Sequence, residues 1–173
     1  MCMNPYLAGM LAGDGCKFIG KNGAYAVWID QHKKNLDILE RAIKVLKENS
    51  FKTYIYNVPD NKRRVLTYSK GLYQEFEDMM KNLENFFEKL SEEEKKIFIA
   101  GFFDAEGTIT DRLVIYNGNK KLLDAFQKFF KDAGMISYVY KFGKIFGLQI
   151  YRKKSVEMFK KEIQCVKITR LSG

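Results

Sequence analysis

The sequence holds a single histidine, His32, three cysteines and two prolines. One histidine excludes a histidine-based catalytic triad and any multi-histidine metal centre. Cys2, Cys16 and Cys165 are odd in number and far apart, which fits neither a disulfide framework nor a zinc-ligand spacing. Reduced thiols inside a cell, in the cytoplasm or an organelle, are the expectation, with Cys16 a candidate for burial. No apolar run reaches the roughly 18 residues of a membrane span, and the N-terminus lacks a signal-peptide pattern. Acids are scarce beside bases, 21 against 30, for a net charge of +9. Residues 1–86 carry +3 and residues 87–173 carry +6, so the basicity is not confined to one tail. Such a surface attracts phosphate and steers association with nucleic acid; composition alone would also suit an anionic membrane surface. At 173 residues and 46% hydrophobic content, the chain can build one ordinary domain or two small halves around a shared core.

What the chain does contain is a repeat. Leu-Ala-Gly-Met-Leu-Ala-Gly-Asp-Gly at 7–15 returns as Ile-Ala-Gly-Phe-Phe-Asp-Ala-Glu-Gly at 99–107. Each reads as the end of a helix, with Gly15 and Gly107 placed where a left-handed terminating residue is expected. Gly9 and Gly13, Ala8 and Ala12, and Gly101 and Ala105 recur at helical spacing. Faces of small residues let two helices approach closely, so the two should pack together with Asp14 and Glu106 side by side. An acid at a helix C-terminus opposes the helix dipole, and two acids together repel. Stability explains this poorly. Divalent cations that prefer carboxylate and water oxygens, Mg²⁺ above all, would relieve both costs.

Between and after the repeats the chain reads as helix–hairpin–helix twice over. Cys16–Gly20 and Ala24–Gln31 flank an Asn22-Gly23 turn, a strong hairpin signal. A helix is expected from Lys33 to Asn49, a second hairpin from Lys52–Val58 and Arg64–Ser69 around Pro59-Asp60-Asn61, and a helix from Lys70 to Phe87. Ser91 and Glu94 have capping-box spacing, so the second signature helix should start there and run to Glu106. Strands within Thr108–Asn117, a helix Lys120–Ala133, a hairpin of Ile136–Lys141 and Ile145–Arg152 and a helix Lys153–Ile163 follow. The halves align beyond the signatures: Leu36-Asp37 matches Leu123-Asp124, and Tyr54-Ile55-Tyr56 matches Tyr138-Val139-Tyr140. Division at 1–88 and 89–173 is expected, with Gln164–Gly173 unmatched and partly loose.

The paired signatures resemble those of the LAGLIDADG homing endonucleases in their single-chain, two-motif form, over nearly the whole chain from Tyr6 to Ile163. The resemblance implies an α+β protein of two pseudo-twofold-related αββαββα halves. Paired central helices would carry two four-stranded antiparallel sheets that form a saddle over duplex DNA. It further implies a site-specific double-strand DNA endonuclease: a metal-dependent phosphodiester hydrolase, acting as a monomer on a long asymmetric site. Mg²⁺, or Mn²⁺ in its place, would be held by Asp14 and Glu106, one acid from each half. Two alternatives use the same fold: a maturase that binds intron RNA, and a DNA-binding protein that does not cleave. The Met1 start and the lack of splicing-domain sequence favour a free-standing protein over an intein fragment.

Further site residues are carried by the resemblance. Gln31, closing Ile29-Asp30-Gln31, matches a Gln that orients water in similar single-chain members, and Asn117 in Ile115-Tyr116-Asn117 is its counterpart. Either could equally be an ordinary polar strand end or a cap for the helix that follows. Asp104 lacks a partner in the first motif, where Ala12 stands, and reads as packing or capping. One related pattern places a lysine three residues after the second acid, but Ile109 stands there; Lys17, three after Asp14, is the substitute candidate for charge stabilisation, with a plain phosphate contact as the other reading. DNA-reading positions should lie on outward strand faces, where Arg and Gln read base edges and Lys more often meets phosphate. The candidates are Lys21, Lys52, Tyr54, Tyr56, Arg63, Arg64, Thr67, Arg112, Tyr138, Tyr140, Lys141, Lys144, Gln149 and Tyr151.

Overall fold

The computed structural model describes residues 3–170; Cys2 lies outside them. The first signature helix α1 (Pro5–Asp14) is capped by the Asn4 side chain, which accepts from the backbone N–H groups of Tyr6 and Leu7. Ser91 and Glu94 form the expected capping box on α5 (Glu92–Glu106). The two helices make the most extensive helix–helix contact of the molecule. Glycine makes that contact possible: a Cβ on Gly9 would overlap the carbonyl oxygen of Phe98, and one on Gly101 that of Tyr6.

Each signature helix runs directly into a strand. β1 (Gly15–Ile19) and β2 (Tyr25–His32) pair with β4 (Lys62–Tyr68) and β3 (Thr53–Val58) in the order β1-β2-β4-β3. β5 (Gly107–Ile109), β6 (Leu113–Asn117), β7 (Ser137–Phe142) and β8 (Ile145–Ile150) repeat it as β5-β6-β8-β7. The registers correspond as well: Gly15 lies opposite Ile29, and Gly107 opposite Ile115. Followed across each sheet, Tyr54 and Tyr138 occupy equivalent positions, as do Tyr56 and Tyr140. The fold is therefore the expected mixed arrangement of two antiparallel four-stranded sheets around a central helix pair.

The two signature glycines do not terminate their helices in the left-handed region. Gly15 (φ −74°, ψ 140°) and Gly107 (φ −74°, ψ 145°) are extended. Glycine is needed there for space: a Cβ on Gly107 would come within 2.5 Å of the Phe103 ring and carbonyl oxygen, and one on Gly15 would strike the Leu11 backbone. Omitting the side chain lets the strand leave within the last helical turn.

Helices α2 (Leu36–Glu48) and α6 (Lys120–Asp132) bury their apolar faces against the sheets; a short 3₁₀ turn at Lys33–Asn35 precedes α2, where an uninterrupted helix was expected. The expected helix from Lys70 to Phe87 is broken into α3 (Lys70–Lys81) and α4 (Leu83–Lys89). Asn82, at φ −150° and ψ 67°, interrupts it, and its side chain accepts from the Asn85 N–H. The break redirects Phe87 toward the second half, where its ring lies 4.8 Å from that of Phe126. α7 (Lys153–Glu162) follows β8, and a turn of helix, α8 (Val166–Thr169), packs on α5. Among the described residues no helix is long and apolar enough to cross a membrane.

Candidate metal centre and nucleic-acid interface

The two helices bring their carboxylates together. A Cβ on Gly13 would lie 2.5 Å from the Ala105 Cβ and 3.0 Å from the Glu106 Cγ, so the last turn of α1 rests against Glu106. Burial, and then the neighbouring Asp14, push the Glu106 carboxyl up to about 7, while Lys167 pulls it the other way. Burial also raises Asp14, opposed by the Gln31 amide and by Lys167 and Lys62. Negative charge is thus crowded into a half-buried place at two helix C-termini, where it is least welcome.

Gln31 reaches this centre because of the register. Gly15 opposes Ile29, so the residues just beyond Ile29 run past the end of α1. Gln31 is buried on the helix-facing side, and its Nε2 donates a hydrogen bond to Asp14 Oδ2. Its own Oε1 accepts from Asn35 Nδ2 at 3.3 Å. Asn117 holds the equivalent position in the second sheet, two residues past Ile115, but its Oδ1 accepts from the Asn119 N–H at 2.8 Å, just ahead of α6. The pseudo-symmetry of position is kept while the contact differs.

Asp104 is fully buried. It accepts from the Tyr6 hydroxyl and from the backbone N–H groups of Val166 and Lys167, each at 2.9 Å. It is therefore an anchor for the residues after α7. Of the stretch expected to be partly loose, Gln164–Arg170 is tied down, since Arg41 donates to the Gln164 carbonyl at 2.8 Å and Arg170 pairs with Asp37 and with Asn35; residues 171–173 lie outside the described residues. The Lys167 ammonium is delivered to the end of α5, donating to the carbonyl oxygens of Gly107 at 2.7 Å and Ala105 at 3.3 Å. Sequence reasoning missed Lys167. The available signal was Asp104 itself, an acid on a buried small-residue face that had to find donors, with one unmatched segment left to supply them.

Lys17 is not in the centre. It shares the helix-facing side of β1 with Ile19, pairs with Glu77 of α3 at 2.5 Å and lies 4.8 Å over the Tyr73 ring. Cys16, on the opposite side, is exposed rather than buried.

Strand registers sort the DNA-reading candidates. The outer faces, turned away from the helices, carry Tyr54, Tyr56, Arg64, Tyr138, Tyr140 and Gln149. Arg64 donates to both Asp30 oxygens at 2.7 and 2.8 Å and stacks 4.7 Å over Trp28. Asp30 and Trp28 were not among the candidates. Gln149 is covered, at 6% exposure, by Tyr138, whose hydroxyl donates to it at 3.1 Å. Arg63, Thr67 and Lys141 fall on the other side: Thr67 is buried, Arg63 shares the side of Val65 and donates to Asn57, and Lys141 shares the side of Val139. A one-residue error in strand phase exchanges the two faces, which accounts for these three. Lys21, Lys52 and Lys144 are exposed in or beside turns, Lys52 against the Tyr54 ring. Arg112 pairs with its neighbour Asp111, and Tyr151 packs edge-on against Tyr138.

Among the described residues no group of three or more His, Cys, Asp or Glu could enclose a metal ion. The donors at the centre are two carboxylates. That set fits a hard divalent cation that keeps water or takes oxygens from a bound phosphate, and does not fit a closed protein cage.

The profile of the LAGLIDADG-like domain family matches residues 93–164. No curated protein sequence matches the chain. The homing endonuclease I-DmoI, in complex with DNA and Mn, superposes with a TM-score of 0.74 at 26% identity, over 93% of this chain and 95% of that one. Its complex with DNA and Ca gives 0.78 at 24% identity, over 98% and 96%. The N-terminal LAGLIDADG domain of DUF199/WhiA shares the fold at 0.66 and 15% identity, over 99% of this chain and 86% of that one. Together with the repeated signature and the matching strand registers, these likenesses match residues 93–164 to the LAGLIDADG-like domain family and make the chain as a whole similar in fold to the homing endonuclease I-DmoI.

Proposed function

We propose that the protein is a site-specific double-strand DNA endonuclease whose divalent metals are held by Asp14 and Glu106. The observation that carries this reading is the meeting of two carboxylates, one per half, at the adjoining C-termini of α1 and α5, where folding alone gains nothing from them. The I-DmoI structures it resembles are complexes with DNA and divalent ions. When bound, such ions supply an activated water and neutralise charge on the scissile phosphate. The chain's own residues do the rest. Gln31 fixes the Asp14 carboxylate and is itself held by Asn35. Arg64, Trp28 and the tyrosines of the outer sheet faces meet the duplex, and the net charge of +9 draws it in. Two unlike halves in one chain supply both strand-cutting centres, so one chain per asymmetric duplex suffices.

The test is cleavage selection from a randomised duplex library with Mg²⁺ or Mn²⁺, using wild type beside Asp14→Asn and Glu106→Gln. Recovery of one long site cut on both strands by wild type alone supports the reading. A second reading, a DNA binder that does not cut, is favoured by Ile109 in place of a lysine and by the engagement of Lys17 with Glu77. Site-selective binding by wild type without any cleavage would select it.

A further inference from the structure

The C-terminal segment Gln164–Arg170 touches both halves of the centre. Toward α5, Asp104 holds its backbone, and the Lys167 ammonium sits on the carbonyl oxygens of Ala105 and Gly107. Those two carbonyls flank Glu106 and belong to the helix end, where orphan carbonyls concentrate partial negative charge. Toward α1, Arg170 donates to Asn35, Asn35 to Gln31 and Gln31 to Asp14. The ammonium therefore rests at the junction of α5 and β5, on either side of Glu106.

We propose that Lys167 is the resident counter-cation of the centre: it occupies the Ala105 and Gly107 carbonyls beside Glu106 in the metal-free protein, and divalent binding has to work against it. This rests on the endonuclease reading and adds a control on its metal site. The argument is one of charge and space. A cation drawn to Glu106 meets the carbonyl oxygens of the same helix end, and Lys167 already has them. Its positive charge relieves the repulsion between Asp14 and Glu106 while the metal is absent, and repels a divalent ion when one arrives. Lys167 is thus a positioning residue; it bonds to backbone oxygens on either side of a metal ligand.

The test is Mn²⁺ affinity of the full chain without DNA, from the paramagnetic signal of free Mn²⁺, for wild type, Lys167→Met, Lys167→Gln and Lys167→Arg, with thermal melts alongside. Tightening of about tenfold or more in the Met and Gln variants, and near-wild-type affinity in the Arg variant, are expected. A purely structural lysine would lower the melting temperature in the Met and Gln variants without tightening Mn²⁺. Mn²⁺ binding by wild type with unchanged or weaker binding in the Met and Gln variants overturns this inference and leaves the endonuclease reading standing. No Mn²⁺ binding by any of the four also overturns this inference, while the endonuclease reading, whose metals can draw oxygens from a bound phosphate, stands or falls on the cleavage selection.

Discussion

Lys17 and Glu77 form an ion pair at 2.5 Å that joins the first strand to α3 on the side of the sheet facing the helices. Lys17 holds the Glu77 carboxyl below its usual range through that hydrogen bond. A lysine so engaged is a structural tie. Lys17→Met should therefore leave the single-turnover cleavage rate at saturating enzyme within about twofold of wild type and lower the melting temperature slightly. A tenfold or greater fall in the saturated rate would return Lys17 to the chemistry.

Asp14→Asn and Glu106→Gln keep the size of each side chain and remove its charge. Each should reduce double-strand cleavage by at least about 10³, in line with losing an electrostatic element of the reacting centre. DNA binding should persist, because the outer sheet faces proposed to meet the duplex are untouched. Gel-shift and single-turnover assays on the same preparations check both halves of this statement.

The Glu106 carboxyl is raised to about 7 from an ordinary value near 4.5. The folded, metal-free protein therefore holds this proton more tightly than the unfolded chain does. Below pH 4.5 both forms are protonated and the group contributes nothing. From there to about 7 its ionisation increasingly disfavours the fold, and above 7 the cost is constant. Melts of metal-free wild type and Glu106→Gln should diverge in favour of the variant across this window and then run parallel. Curves parallel throughout would contradict the buried position given to Glu106.

Gly101 faces the Tyr6 carbonyl with no room for a methyl group. Gly101→Ala should destabilise the protein by about 1–3 kcal/mol or more, the range for overpacking a tight interface. It should also impair cleavage beyond the loss of folded protein, because the strain lies between the helices that carry Asp14 and Glu106. Chemical denaturation together with activity per folded molecule measures both effects.

Helix pairing was legible because backbone contact demands small residues at a fixed period, and Gly9 and Gly101 carry that signal. The hairpins were legible from turn chemistry such as Asn22-Gly23, where Gly23 adopts φ +77°. Strand phase was less so: Arg63 and Arg64 are adjacent, both basic, and only the register tells that Arg64 faces outward. Gln31 was singled out by the family resemblance alone; its place at a strand end in Ile-Asp-Gln fitted an ordinary polar residue equally well, and only the register shows its reach to Asp14. The role of Lys167 had almost none, because Asp104 recruits it from 63 residues away and nothing in the local pattern of Lys-Ile-Thr-Arg encodes that partner. The helix break at Asn82 was hidden for a similar reason: the pull comes from a phenylalanine cluster assembled by the other half.

The passage from helix to strand at Asp14-Gly15 and Glu106-Gly107 leaves no linker on either side of the acids. Under the endonuclease reading, the molecule then behaves as a ruler. The offset between the bases each sheet reads and the bonds the acids address is cast into the backbone, with no joint to let one drift against the other. Altering outer-face residues such as Arg64 or Tyr140 would change which sequence is chosen, while the stagger between the two cuts would stay the same.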